Sequence, residues 1–296
     1  MLTVDEAFKK FKGRLEISTN EQQAASRRQR KLREQLDDGL DIAHDFLTGA
    51  YARDTKTKPL RDVDIFVELG PDEQKYRDQH PSAILSRVRD FLVPHYGEDR
   101  ITTDRRCVRV DYGLALVDDV SDDVMSCDVV PAFGKGGAYE IADDMLGQWI
   151  TTDPRVHAER ATAANKAFSG QWKPLVKMAK KWNQYNGEPV EPSFLIEVLA
   201  LQLIDGPWAG SYPYELRQFF ASAADRLADG WADPARLGPA VSDCLDGDQQ
   251  KMQAARQALA TAEAACTEAL RLDRSGRTGD ALSEWQRLFG PSFSKS

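Results

Sequence analysis

The chain has 296 residues, 42% of them hydrophobic and 29% charged, with a formal net charge of -8 at pH 7; that is ordinary globular composition with apolar sequence enough for one large domain or two lobes. No run of 18 apolar residues is present and the start MLTVDEAFKKFKG lacks a signal-peptide core, so a cytoplasmic protein without membrane association is expected. The acidic balance argues against a general nucleic-acid coat, which depends on Lys and Arg, but leaves small, charged, metal-chelated substrates open.

Thr3 with Glu6, and Ser18 with Glu21, have the S/T-x-x-E form of a capping box and mark two helix starts. The second helix runs to about Leu36 and stops at Asp37-Asp38-Gly39. Within it, Arg27-Arg-Gln-Arg-Lys-Leu-Arg33 reads as a solvated face balanced by nearby acids. A short apolar segment, 40–48, leads into Gly49. From Val63 to Leu69, Val63, Ile65 and Val67 alternate with Asp64, Phe66 and Glu68, which is the period of a strand. Residues 81–92 read as a helix, and 101–103, 107–116 and 125–132 as strands of a mixed sheet. Asp118, Asp119, Asp122 and Asp123 form a solvated loop between two of them. Beyond about residue 155 the spacing is helical throughout: 155–168, 171–186, 193–205, 213–229, 247–273 and 278–289. The Ala-rich stretch 254–269 belongs to a long helix packed closely on its neighbours. The expected division is an α/β lobe over 1–155 and an all-helical lobe over 156–296.

Four cysteines (Cys107, Cys127, Cys244, Cys266) stand apart with no CxxC and read as ordinary buried thiols. His44, His80, His95 and His157 lack metal-ligand spacing and read as structural. The six tryptophans read as core residues.

The stretch that carries chemistry is a glycine turn followed by Asp62-Val63-Asp64. Residues i and i+2 of a strand share a face, so the two carboxylates point the same way. Their mutual repulsion is relieved by divalent cations, and hard oxygen ligands suit magnesium or manganese. An Asp-x-Asp pair alone is a weak signal; the glycine turn upstream strengthens it.

Gly49-Ala-Tyr-Ala-Arg-Asp-Thr55 followed by Asp62-Val-Asp-Ile-Phe-Val67 resembles the signature of the polymerase-β-like nucleotidyltransferases, and more closely the bacterial CD-NTases, relatives of cyclic GMP–AMP synthase and oligoadenylate synthase. Cys127-Asp128-Val-Val-Pro-Ala-Phe133 is similar to that family's third-acid strand. Trp149-Ile-Thr-Thr-Asp-Pro154 with His157 resembles its crossing into the helical lobe, Pro174-Leu-Val-Lys-Met-Ala-Lys-Lys-Trp182 its basic helix, Pro192-Ser-Phe-Leu-Ile-Glu197 the helix start after it, and Ala281-Leu-Ser-Glu-Trp-Gln-Arg-Leu-Phe-Gly290 its C-terminal segment. One departure stands out: the family's serine after the glycine is Ala50 here, which implies weaker triphosphate binding, with a backbone N–H still able to donate to phosphate.

The resemblance implies an α+β fold, a bilobal polymerase-β-like core with a C-terminal all-helical lobe and the active site in the cleft. It implies Asp62, Asp64 and Asp128 as catalytic residues and ligands of two Mg2+ ions (Mn2+ as a substitute). Gly49, Ala50, Lys177, Lys180 and Ser193 would be nucleotide contacts, Lys181 pointing away, while Tyr51 and Arg53 serve packing and loop fixing. ATP and other NTPs would be the substrates, without a long nucleic-acid partner. The product would be a cyclic di- or trinucleotide second messenger that acts on a separate effector protein in anti-phage signalling. Two other readings share the same residues: nucleotide addition to an RNA 3′ end or another acceptor, and a nucleotide-binding pseudoenzyme, to which Ala50 points and the intact acid triad does not.

Overall fold

A computed structural model describes residues 2–113 and 125–294. The four aspartates of the loop at 118–123, and the end of the strand expected over 107–116, lie outside the described residues. In chain order the elements are α1 (Val4–Leu15), α2 (Thr19–Gly39), β1 (Ile42–Thr48), α3 (Gly49–Arg53), β2 (Asp62–Leu69), α4 (Ser82–Tyr96), β3 (Ile101–Thr103), β4 (Val108–Asp111), β5 (Ser126–Lys135), β6 (Ala138–Asp143), β7 (Gln148–Thr152), α5 (Pro154–Ala167), α6 (Trp172–Tyr185), α7 (Phe194–Leu203), α8 (Tyr212–Arg226), α9 (Asp243–Asp246), α10 (Gln249–Arg274) and α11 (Thr278–Phe289). They form two compact units: Ile17–Ala158 with Ala235–Gly238, and Met1–Glu16 with Glu159–Pro234 and Pro239–Ser296. The fold is α+β, a mixed sheet with flanking helices in the first unit and helices in the second.

The sheet runs β1-β2-β5-β4-β3, with β6 pairing the far end of β5 and β7 pairing β6. β2 and β5 are parallel neighbours, and the other pairs are antiparallel. Val63, Ile65, Val67 and Leu69 of β2 are all buried on one face, in a core with Leu32 and Leu36 of α2 and Ile84, Val88 and Leu92 of α4. The other face carries Phe66 in a smaller cluster with Phe46, Tyr139, Ile141 and Ile150. The alternation seen in the sequence is thus burial on both faces near the middle of β2, with polar residues confined to its ends.

The hairpin of β6 and β7 was not foreseen. β5 runs past the expected end at 132 to Lys135, and along this stretch β6 takes over from β4 as its neighbour. Gly136 and Gly137, at φ +56 and +88, form the two-residue turn that joins β5 to β6, a conformation only glycine adopts without strain at both positions. In the basic run of α2, Arg27, Arg30 and Lys31 are exposed; Arg33 forks onto Asp45, and the Arg28 guanidinium lies 4.2 Å from the Tyr112 ring centre.

α1 belongs to the helical unit, where it packs with α6 and α11, whereas a boundary at 155 assigns it to the first unit. Phe8 meets Trp285 edge-on at 4.9 Å and Phe293 at 5.1 Å. A capping box marks where a helix begins and says nothing about which core receives its apolar stripe. Trp172, Trp182, Trp231 and Trp285 are buried as core residues. The small side chains Ala255, Ala262 and Ala269 give α10 its close-packed face, and Asp248 caps its start through Gln250 N and Lys251 N, both at 3.0 Å. The described cysteines are free, two buried and two half-buried. No described helix is long and apolar enough to cross a membrane.

The capping box of α2 also anchors the approach to β2. Glu21 is fully buried; its carboxylate accepts from Ser18 N at 2.7 Å and from Leu60 N at 2.8 Å, with Lys58 Nζ 3.8 Å away. Glu21→Ala leaves both N–H groups without an acceptor and is expected to cost about 2–4 kcal/mol, whereas Ser18→Ala removes one cap bond and is expected to cost about 1 kcal/mol; chemical denaturation of the two variants checks the ranking.

Candidate functional site

The site is built on the edge where the glycine turn meets β2. Gly49 opens α3 at φ +65, and a Cβ placed there would sit 1.6 Å from Asp64 Oδ2. Only glycine therefore lets the Asp64 carboxylate lie across the turn. The following residues lock the loop. Asp54 ends α3 in the left-handed region at φ 57, Thr55 N donates to the Ala50 carbonyl at 3.0 Å, and Lys56 Nζ reaches Asp54 Oδ1 at 2.8 Å. Arg53 is buried in the same turn, and Tyr51 packs against the sheet core.

Register then gathers the acids. Thr48 pairs with Asp64, Asp64 with Asp128, Asp128 with Arg109, and Arg109 with Thr102, so one row of partners crosses all five strands. Partners across a ladder share a face, and neighbouring strands lie about 4.8 Å apart. Asp62, two residues before Asp64 and opposite Ser126, points to the same side. The three aspartates singled out from the sequence thus stand together on one face of β2 and β5.

Arg109 is the residue that sequence reading missed. Its Nε donates to Asp128 Oδ1 and its Nη2 to Asp128 Oδ2, both at 2.8 Å, a bidentate clasp on a carboxylate that is only 6% exposed. Nη2 also lies 4.0 Å from Asp104 Oδ2. The hydrogen bonds to Asp128 hold the guanidinium more firmly protonated than usual, with Coulombic help from Asp128 and Asp62. The alternation of Arg109 with Val108 and Val110 is visible in the sequence, but its partner depends on which strand lies alongside and in which register. Cys107 stands nearby with its thiol pushed up, first by burial and then by Asp128 and Asp104. On the other face burial pushes the Cys127 thiol up to about 12. Neither is a thiolate nucleophile near neutral pH.

Three carboxylates on paired strands are the hard-oxygen donor set that suits a magnesium-like ion, and in that respect the residues fit such a group. Their side chains do not converge as they stand: among the described residues no group of three or more His, Cys, Asp or Glu is drawn together tightly enough to hold a metal ion. The geometry gives the reason. Both oxygens of Asp128 are engaged by Arg109, and the Asp64 carboxylate lies over Gly49.

Lys177, Lys180 and Ser193 belong to the helical unit. Lys177 is 2% exposed, and its Nζ donates to Glu16 Oε2 at 2.7 Å; Lys180 is paired with Glu197, also buried. Lys181 is buried too rather than exposed, so all three of these lysines of α6 are withdrawn from solvent. Ser193 is exposed at the start of α7, and its hydroxyl caps no backbone N–H.

A family model described as Second Messenger Oligonucleotide or Dinucleotide Synthetase domain matches residues 1–165. A probable cyclic nucleotide synthase of Bacillus cereus (strain VD146) is 26% identical over 283 residues, covering 83% of this chain and 80% of the relative. A cyclic AMP-AMP-AMP synthase of Acinetobacter sp. (strain ATCC 27244 / 9458) is 30% identical over 206 residues, covering 66% of this chain and 54% of that protein. Among solved structures, CdnC of E. coli MS115-1 with ATP superposes with a TM-score of 0.72 at 19% identity, covering 99% of each chain; at that identity the likeness is one of fold.

Removing Glu197 would strand the Lys180 charge in the interior. Glu197→Ala is expected to destabilise the protein by about 3–5 kcal/mol, and double replacement of Lys180 and Glu197 by apolar residues of similar size to recover most of that loss, both read from denaturation curves.

Proposed function

The chain belongs to the Second Messenger Oligonucleotide or Dinucleotide Synthetase family, the bacterial CD-NTases, and from that premise we propose that it is a nucleotidyltransferase building a cyclic di- or trinucleotide from nucleoside triphosphates, ATP among them. The observation that carries the reading is the pairing of Asp64 with Asp128 on adjacent parallel strands, with Asp62 on the same face and Gly49 beneath the Asp64 carboxylate. The names of the relatives, a probable cyclic nucleotide synthase and a cyclic AMP-AMP-AMP synthase, support the same chemistry.

In this reading a ribose hydroxyl of one nucleotide attacks the α-phosphorus of a second. The bond from that phosphorus to the bridging oxygen breaks and pyrophosphate leaves; the same displacement, each time releasing one pyrophosphate, is repeated once to close a ring of two or twice to close a ring of three. Asp62, Asp64 and Asp128 are the residues that would hold two Mg2+ ions, or Mn2+; bound there, such ions offset phosphate charge and lower the pKa of the attacking hydroxyl. Asp128 would also serve as the base that takes the proton of the attacking hydroxyl. Gly49 and Ala50 would offer backbone N–H groups to phosphate, Ala50 without the hydroxyl of the family's serine. Lys177, Lys180 and Ser193 are retained as triphosphate contacts on the resemblance of their segments; for Lys177 and Lys180 that role requires exchanging Glu16 and Glu197 for phosphate. We assign the product to signalling, through a separate effector protein, in anti-phage defence, with no long nucleic acid required for synthesis.

Incubation of the purified protein with an equal mixture of labelled ATP, GTP, CTP and UTP, with Mg2+, is expected to yield a phosphatase-resistant small product whose mass identifies a ring of two or three nucleotides. A phosphatase-sensitive or macromolecular product would replace the cyclase reading with transfer to another acceptor, and no product would favour the pseudoenzyme. Asp62→Asn with Asp64→Asn is expected to lower turnover by at least about a thousandfold while melting near the wild-type temperature; retained activity would remove the metal assignment. Gly49→Ala, which displaces the Asp64 carboxylate, is expected to lower turnover by about a hundredfold.

A further inference from the structure

We propose that Arg109 is the resident counter-ion of the carboxylate row and competes with divalent cations for Asp128, so that a cation loads well only when a triphosphate arrives with it. The inference rests on the reading above, in which Asp62, Asp64 and Asp128 are the metal ligands. Carboxylates at directly paired positions repel unless something positive stands between or beside them. Arg109 occupies that place through register alone: it is the partner of Asp128 on β4, just as Asp64 is its partner on β2.

The clasp opposes a metal in two ways. Both Asp128 oxygens already accept from the guanidinium at 2.8 Å, so neither is open to a metal until the fork lets go. The guanidinium also places a permanent positive charge beside the coordination site, where partial burial weakens solvent screening. The two partners are unequally held. Asp128 is 6% exposed and fixed on a central strand, whereas the Arg109 side chain is 39% exposed. Releasing the pair therefore means swinging a long side chain into solvent, with no backbone motion. A bare divalent ion gains Asp128 only by leaving the guanidinium without its carboxylate. A metal-bound triphosphate brings several negative charges and so offers the displaced guanidinium a new anion within reach. Arg109 is thus a positioning residue that acts through Asp128, and it ties metal occupancy to substrate occupancy.

The test is Mn2+ binding, read as the free-Mn2+ electron paramagnetic resonance signal of the full-length protein without nucleotide. Arg109→Gln is expected to bind Mn2+ about tenfold tighter than wild type, and the gap is expected to shrink to about threefold or less with a nonhydrolysable ATP analogue present. A merely structural ion pair predicts the opposite, with Mn2+ binding unchanged or weakened in Arg109→Gln, and that result overturns the proposal. Should this variant not fold, Arg109→Lys, which keeps a charge but not the fork, is measured the same way: tightening supports the proposal, and no tightening overturns it. A control separates the proposal from its premise. Adding Asp62→Asn and Asp64→Asn to either variant should abolish Mn2+ binding; if binding persists, the metal reading of the acids falls, whereas acid-dependent binding of equal strength in wild type and variant removes the Arg109 proposal alone.

Discussion

Parallel pairing of β2 with β5 sets Asp64 beside Asp128, and a row of like charges on the face of a sheet is the constraint to which the surrounding residues answer. Left to itself such a row is unfavourable, because each carboxylate raises the cost of ionising the next. Arg109 offsets it by neutralising Asp128 from the neighbouring strand, and Gly49 leaves room for the Asp64 carboxylate. A site with this much negative charge at close quarters is prepared for cations, and the placement of its acids follows from strand register.

The reverse face keeps that register from slipping. Val63, Ile65 and Val67 are buried against α2 and α4. A shift of one residue would turn them to the acid face and drive the aspartates into the core. Glu21 adds a second hold by tying Leu60 N, just before the strand, to the start of α2. Carboxylates placed on central strands in this way are positioned more tightly than loop residues could be.

The helical unit handles charge differently. Lys177, Lys180 and Lys181 of α6 are all buried, although lysine normally keeps its ammonium in water. Lys177 finds Glu16 at the end of α1, and Lys180 finds Glu197 in the first turn of α7. Buried pairs of this kind add little net stability over apolar residues but make the loss of either partner costly. They specify how α1, α6 and α7 pack within the unit.

Local physics was enough for a good part of the protein. The alternating apolar pattern marked β2, the Thr3–Glu6 and Ser18–Glu21 boxes marked α1 and α2, and helical spacing marked the long C-terminal helices. The glycine followed by Asp62 and Asp64 marked the acid face, because residues two apart on a strand always share a side. Asp128 was reachable only through resemblance to a family, since no short-range rule connects residues 64 and 128. What tertiary structure alone decided were the partners: α1 with the C-terminal helices, the buried lysines with Glu16 and Glu197, and Arg109 with Asp128. Each depends on contacts between segments distant in sequence, whose register and packing are chosen by the burial of whole elements and leave no trace in the local pattern of residues.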